Sequence, residues 1–163
     1  MSNPLGPFLA DVFMGYVENL VEDPIRKMAM HKRYVDDITE DKGEDINRLL
    51  EEFNRSQKHI SLTCEEEKNN QLPLLDILIS RRDDGSIRRS IYRKPTWTGQ
   101  YPNFHSHCPI HYKRGLMKSL FNRINRICTS DTNEVETKLL TDTLLNNGFS
   151  LKFINRWKGC NND

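Results

Sequence analysis

Apolar residues recur at three- and four-residue steps in several stretches of the chain, the pattern of a helix with one buried face. The predicted helices span residues 7–22, 44–56, 109–127 and 131–147, and a short one opens at Ser150. Pro24 is expected to end the first helix, and Gly148 suits the end of the fourth. Asp131 and Glu134 are spaced as in a capping box, so they predict where the fourth helix begins.

Short apolar runs bounded by turn residues predict strands between the first helices and residue 95. Two extended pieces, 31–35 and 38–40, flank Asp36 and Asp37, which predicts a hairpin with an acidic turn. The alternation of Ile60, Leu62 and Cys64 predicts a further strand. Farther along, the pattern predicts one buried strand over residues 72–80, a turn at Asp83-Asp84-Gly85 and a return strand over residues 86–93.

The order of these elements predicts an α+β protein. Residues 1–95 mix helices with strands, whereas residues 96–163 are predicted to be helical apart from an irregular stretch over 97–108. We therefore expect two domains, 1–95 and 96–163, the first with a hairpin-containing antiparallel sheet and the second small and all-helical.

Charge is distributed unevenly along the chain. Residues 85–130 contain nine Lys and Arg residues and no acidic residue, whereas residues 1–84 contain 11 basic and 18 acidic residues. A long acid-free basic segment favours a polyanionic partner, most simply nucleic acid. The alternative is that these cations form the solvated surface of an ordinary domain.

The predicted helix over 109–127 is amphipathic. Its apolar residues fall on one face: Leu116, Met117, Leu120, Phe121, Ile124 and Ile127. Its basic residues fall on the opposite face: His111, Arg114, Lys118, Arg123 and Arg126. Lys113 does not fit this division, and we expect its long stem to carry the ammonium group out to water.

Several classes of protein and site are disfavoured. No apolar run approaches the roughly 20 residues of a membrane span, and no secretory signal is visible, so we expect no membrane partner and an intracellular, nuclear or cytoplasmic location. The four cysteines are far apart, which favours free thiols. His105, His107, Cys108 and His111 could ligate zinc, but their spacing matches no common zinc pattern, and we favour loop residues near nucleic acid.

Tyr34-Val35-Asp36-Asp37 is the tetrapeptide that points most directly to chemistry. Nucleotidyl transfer uses two divalent metal ions, and Mg²⁺ prefers carboxylate oxygens. Adjacent aspartates at a tight hairpin would place two such ligands at one edge of a sheet. The alternative is a surface turn, because Asp is a common turn residue.

Four segments carry a resemblance to a known family. Asn3–Met14 resembles the loop and helix that precede the catalytic turn of reverse transcriptases, and Arg33–Ile38 resembles that turn. Residues 72–96 resemble the strand, hairpin and exit that follow in reverse transcriptases of Penelope-like and related animal retroelements. Residues 92–127 resemble the helix-turn-helix-like segment that comes next in those proteins.

The resemblance implies the C-terminal part of a polymerase palm followed by a thumb-like or helix-turn-helix-like region. It implies RNA-directed DNA synthesis in the intact enzyme, with an RNA template and a DNA primer as partners and Mg²⁺ or Mn²⁺ as cofactor. Asp36 and Asp37 would bind the metal, and Tyr34 would line the nucleotide or primer-end site. The residues implied in holding the primer-template backbone are Arg93, Lys94, Arg114, Lys118, Arg123 and Arg126.

The chain also departs from this family. The family's third carboxylate and its fingers come from segments upstream of those present here, and Gly6 stands where a Ser is expected beside Pro-Leu. We therefore expect a reverse transcriptase fragment that is inactive by itself. The alternatives are a non-catalytic nucleic-acid-binding module that uses residues 85–130, and a protein without function translated from a dead element.

Overall fold

The computed structural model describes residues 5–26, 31–34, 37–40, 46–58 and 60–158, which form two compact units. The first unit is Met1–Glu65 and the second is Glu66–Asp163.

The first unit consists of helices and one hairpin. Its elements are α1 (Leu5–Leu20), α2 (Glu22–Ile25), β1 (His31–Tyr34), β2 (Asp37–Glu40) and α3 (Ile46–Ser56). Val17 and Val21 pack with Leu49 and Phe53 in a buried apolar cluster. The predicted helices and hairpin are thus present, but the expected break at Pro24 is wrong. Pro24 lies within the short helix α2, in a first turn, where a missing N–H is tolerated.

The strand predicted around Ile60, Leu62 and Cys64 is also wrong. Residues 60–67 form no strand. The side chain of Asn54 instead holds the backbone of Leu62. Asn54 Oδ1 accepts from the Leu62 N–H at 2.6 Å, and Asn54 Nδ2 donates to the Leu62 carbonyl at 3.1 Å. The side-chain amide of Asn54 thus makes the hydrogen bonds that a neighbouring strand would make. The alternation of apolar and polar residues is the same in both cases and cannot distinguish them.

The second unit begins with a three-stranded antiparallel sheet in the order β3–β4–β5. Its strands are β3 (Gln71–Leu74), β4 (Ile77–Arg81) and β5 (Ile87–Ile91). The single strand predicted over 72–80 is therefore a hairpin in which Leu74 pairs with Ile77. Leu75 forms the turn with a φ of +52°. Leucine rarely adopts this left-handed conformation, so nothing in the sequence marks a turn at this position.

The second hairpin of the sheet follows the sequence closely. Gly85 has a φ of +79°, which glycine adopts without steric cost. The Gly85 N–H donates to the Arg82 carbonyl at 2.9 Å, and the Ser86 N–H donates to the Asp84 carboxylate at 2.8 Å. The turn predicted at Asp83-Asp84-Gly85 is confirmed, as is the return strand.

Three helices complete the second unit: α4 (Ile110–Ile127), α5 (Ser130–Asn146) and α6 (Leu151–Asn155). They bury one apolar core, which consists of Met117, Phe121, Ile124, Cys128, Leu140, Leu144, Phe149 and Ile154. The apolar face predicted for α4 supplies Met117, Phe121 and Ile124 to this core. At about 25 cal/mol per Å² of apolar surface, such burial is the main force that holds the helices together.

The ends of these helices confirm two predictions and correct one. Gly148 follows α5 with a φ of +83°, and the Phe149 N–H donates back to the Leu144 carbonyl at 3.1 Å. Ser150 caps α6 by accepting from the Phe153 N–H. The capping box predicted at Asp131 is wrong, because α5 begins at Ser130 and its N-cap residue is Thr129.

The segment before α4 is irregular, as predicted, and one side chain anchors it to α5. Asn147 donates from Nδ2 to the Gly99 carbonyl at 2.9 Å and accepts at Oδ1 from the Tyr101 N–H at 3.0 Å. Its backbone carbonyl accepts from the Phe104 N–H at 3.0 Å. The end of α5 therefore fixes the path of the chain from Gly99 to Phe104.

Strand β5 is bonded to the start of α5. The Arg89 carbonyl accepts from the Thr129 N–H at 3.1 Å and from the Thr132 hydroxyl at 2.6 Å. The Arg89 N–H lies 3.4 Å from the Thr129 hydroxyl oxygen. The sheet and the helices consequently form one unit.

The predicted α+β class is confirmed: both sheets are antiparallel, and the C-terminal region is helical. The domain boundary expected between residues 95 and 96 stays a prediction, although β3–β5 share a compact unit with the helices. Within the described ranges, no helix is long and apolar enough to cross a bilayer.

Candidate nucleic-acid interface

The acidic hairpin of the first unit has the expected backbone pairing. Strands β1 and β2 are antiparallel, and Tyr34 pairs with Asp37. Asp37 is exposed, and Tyr34 exposes 67% of its surface. Val35 and Asp36 lie outside the described residues, so the predicted role of Asp36 stays a prediction.

Polar contacts attach β1 to the side of α1. Arg33 donates to Asp11 at 2.7 Å and to Glu18 at 2.9 Å, and His31 Nε2 lies 3.0 Å from the same Glu18 carboxylate. The hydrogen bond to Asp11 is the largest influence on the Arg33 guanidinium and raises its pKa, with Glu18 acting in the same direction. The hairpin thus lies beside the flank of the helix.

Asp37 is the one aspartate of the predicted metal-binding pair that the structure describes, and it is exposed. The metal-binding role predicted for the pair stays a prediction. Across the described part of the chain, no group of three His, Cys, Asp or Glu residues could hold a metal ion. His105, His107, Cys108 and His111 are among the described residues and form no such group.

Four of the six basic residues predicted to contact nucleic acid are exposed in the second unit. They are Lys94, after β5, and three residues of α4: Arg114, Lys118 and Arg126. The three residues of α4 are exposed, whereas Met117, Phe121 and Ile124 on the same helix are buried. These side chains are therefore available to a polyanion, which is what the charge pattern predicts.

The other two predicted residues are held in ion pairs. Arg93 lies 2.6 Å from a carboxylate oxygen of Glu136 on α5, and both side chains are largely buried, at 20% and 11% exposed. Arg123 lies 3.0 Å from Asp76 in the turn between β3 and β4. Acids outside the acid-free segment thus neutralise part of its charge. Arg93 and Arg123 stabilise the unit in addition to any contact with a ligand.

Lys113 behaves differently from the prediction. Its side chain is buried, at 6% exposed, and does not extend to water. The ammonium donates to the Phe104 carbonyl at 2.7 Å and to the Ser106 carbonyl at 2.8 Å, and it lies over the Phe104 ring. Two carbonyl groups can satisfy a buried ammonium, which explains the misfit in the helical pattern.

A second basic surface, on α6, was not singled out from the sequence. Phe153, Ile154 and Trp157 face the core, and the opposite side of the helix is exposed. The exposed side carries Leu151, Lys152, Asn155, Arg156 and, just beyond the helix, Lys158. Residues 131–163 contain four basic and five acidic residues, so the acids of α5 conceal these cations in a charge count over the whole segment. A count that begins at Gly148 reveals three cations and no acid up to residue 158.

The α5 and α6 helices have the connection of a helix-turn-helix unit. Residues 147–150 join them, and Gly148 is in the left-handed conformation. A short turn that contains glycine is typical of this motif.

Comparison with known families agrees with that class. Residues 100–159 match the animal helix-turn-helix domain, a range that contains α4, α5 and α6. Neither the curated proteins nor the solved structures contain a match. No reverse transcriptase family matches the chain, so the resemblance of its first 95 residues to these enzymes stays a prediction.

Proposed function

We propose that this protein binds duplex nucleic acid through the helical region 100–159 and that this binding needs no catalytic step. The observation that carries the proposal is the match of this region to the animal helix-turn-helix domain. The glycine turn between α5 and α6 supports it, as do the exposed cations of two helices. This was the alternative to the enzyme hypothesis, and the domain match favours it.

Helix α6 is the element we propose to enter a groove. In helix-turn-helix proteins the second helix of the motif contacts base edges in the major groove. Lys152 and Asn155 lie on the exposed side of α6, and Lys and Asn are side chains that read guanine and adenine edges. Phe153 and Ile154 hold the opposite side against the core. The helix can therefore meet a ligand without loss of its packing.

The exposed cations of α4 are proposed to contact phosphates. Arg114 and Lys118 are one helical turn apart and carry no acidic neighbour on that helix. Each phosphate neutralised releases a counterion, so log–log plots of affinity against salt should fall with a slope near −0.9 per contact. Such contacts supply affinity but no sequence preference.

Titration of a labelled DNA duplex with the full chain at several salt concentrations tests this proposal. The double variant Arg114→Ala/Lys118→Ala should bind more weakly and flatten the salt slope by about two units. Arg55→Ala/Lys138→Ala is the matched control, because it removes the same charge from exposed positions outside α4 and α6. An undetectable affinity of the unaltered chain, or equal effects of both pairs, would refute the phosphate-contact proposal.

A second set of variants tests α6 separately. Lys152→Ala and Asn155→Ala should reduce discrimination between a preferred duplex and a scrambled one while leaving more of the nonspecific binding intact. If both variants lower the affinity for every duplex equally, α6 contributes charge alone and does not read bases.

A second candidate function is part of a reverse transcriptase palm, which the pairing of Tyr34 with Asp37 in the β1–β2 hairpin favours. In that case Mg²⁺ or Mn²⁺ would be held with Asp36 and Asp37, and the partners would be an RNA template and a DNA primer. We expect no primer extension by this chain with Mg²⁺. Nucleotide incorporation that Asp36→Asn abolishes would establish the enzyme hypothesis.

A further inference from the structure

A cavity in the second unit is lined by none of the exposed cations of α4 and α6. It has a volume of about 320 Å³, opens to solvent and is lined by the β3–β4 turn, the segment after β5 and α4. This volume is at the lower end of the range of small-ligand sites. The side chains that define its chemistry are Tyr92, Arg93, Lys94, Trp97, Tyr101 and Arg123.

Aromatic and basic side chains both line this cavity, together with the carboxylate of Asp76. The Arg93 guanidinium lies 5.0 Å from the centre of the Trp97 ring, and Trp97 is still 40% exposed. Tyr92 and Tyr101 are half-buried. Aromatic surfaces next to cations are the features with which proteins hold unpaired nucleotides, since any base can stack on an aromatic ring.

The charge of the cavity suits a single phosphate. Arg93 is neutralised by Glu136, and Arg123 is neutralised by Asp76. Within the described ranges, Lys94 is the cation of the lining that forms no ion pair. One uncompensated cation beside aromatic rings matches a nucleotide better than an extended backbone.

We propose that this cavity binds an unpaired nucleotide next to a duplex, with its base against Trp97 and its phosphate at Lys94. The inference rests on the proposed function and deepens it, because the ligand becomes a duplex that carries a single-stranded end. The cavity would thus confer a preference for the junction between paired and unpaired nucleic acid.

Trp97 can report the interaction by its fluorescence. The chain has two tryptophans, and the other is Trp157, whose buried indole N–H has no hydrogen-bond partner among the described residues. Trp157→Phe therefore sacrifices no hydrogen bond and leaves Trp97 as the only tryptophan. This variant should be titrated with a blunt hairpin duplex and with the same duplex bearing an unpaired overhang of about three nucleotides. We expect the overhang to quench Trp97 and to increase affinity about tenfold.

Two substitutions decide whether the cavity is responsible. Lys94→Glu, at an exposed position that need not disturb folding, should remove the preference for the overhang, whereas Lys138→Glu on α5 should leave it unchanged. Equal binding of both duplexes without quenching, or a preference that survives Lys94→Glu, would overturn the cavity proposal while the duplex-binding proposal stands. Failure to bind either duplex would instead refute the proposed function and, with it, this inference.

Discussion

Lys113 gives the sharpest test of how the helical region is stabilised. Substitution by methionine keeps a long apolar stem in the same space but removes the ammonium that donates to the Phe104 and Ser106 carbonyls. Ser106 is exposed, so its carbonyl can be hydrated, whereas the bond to the half-buried Phe104 has no ready substitute. A buried acceptor left unsatisfied costs about 1–3 kcal/mol. We therefore expect Lys113→Met to lower the free energy of unfolding by about 2 kcal/mol, within that range, which is roughly a thirtyfold change in the unfolding equilibrium.

Urea unfolding followed by circular dichroism measures this change. Lys118→Met is the matched control, because Lys118 is exposed on the same helix and should change stability by less than about 0.5 kcal/mol. Methionine also avoids the cost of burying an ammonium group. If Lys113→Met is as stable as the unaltered chain, that burial cost outweighs the two hydrogen bonds and the reasoning fails.

Two further predictions concern α5. The hydrogen bond from Thr129, followed by that from Arg82, lowers the pKa of Asp131 from 3.8 to about 2. The ionised carboxylate of Asp131 thus stabilises the folded chain above pH 3.8, and this contribution disappears as the pH falls towards 2. Asp131→Asn should therefore flatten the dependence of melting temperature on pH in that interval. A variant whose melting temperature depends on pH as in the unaltered chain would contradict this assignment. Asn147→Ala should lower the free energy of unfolding by about 2–3 kcal/mol, since three side-chain hydrogen bonds of about 1 kcal/mol each are lost. The exposed Asn146→Ala is its control in the same thermal unfolding assay, and equal stability of the two variants would refute the anchoring role.

Local patterns in the sequence predicted much of the fold. The spacing of Met117, Phe121 and Ile124 predicted the buried face of α4, and Gly148 predicted the end of α5. Both depend on residues within a few positions of each other, where periodicity and backbone preference act directly. The turn at Leu75 escaped prediction because it uses a residue with no preference for turns.

The environment of the basic residues could not be predicted in the same way. Arg93 meets Glu136, and Arg123 meets Asp76, across more than 40 positions of the chain. Lys113 lies closer to its partners, but they are backbone carbonyl groups, which leave no mark on side-chain patterns. Charge counting therefore identified a basic region correctly, yet it could not separate cations that face a ligand from cations that hold the fold.

The bonds between Arg89 and the start of α5 bear on how the protein avoids self-association. Strand β5 lies at one edge of its sheet, and an open edge is a template on which a strand of another molecule can add. Both backbone groups of Arg89 on that edge are within bonding distance of Thr129. The helical region thereby blocks the middle of β5 against strand addition. If the start of α5 separates from β5, the edge of this strand becomes exposed. Variants that destabilise α5 should therefore aggregate as well as unfold.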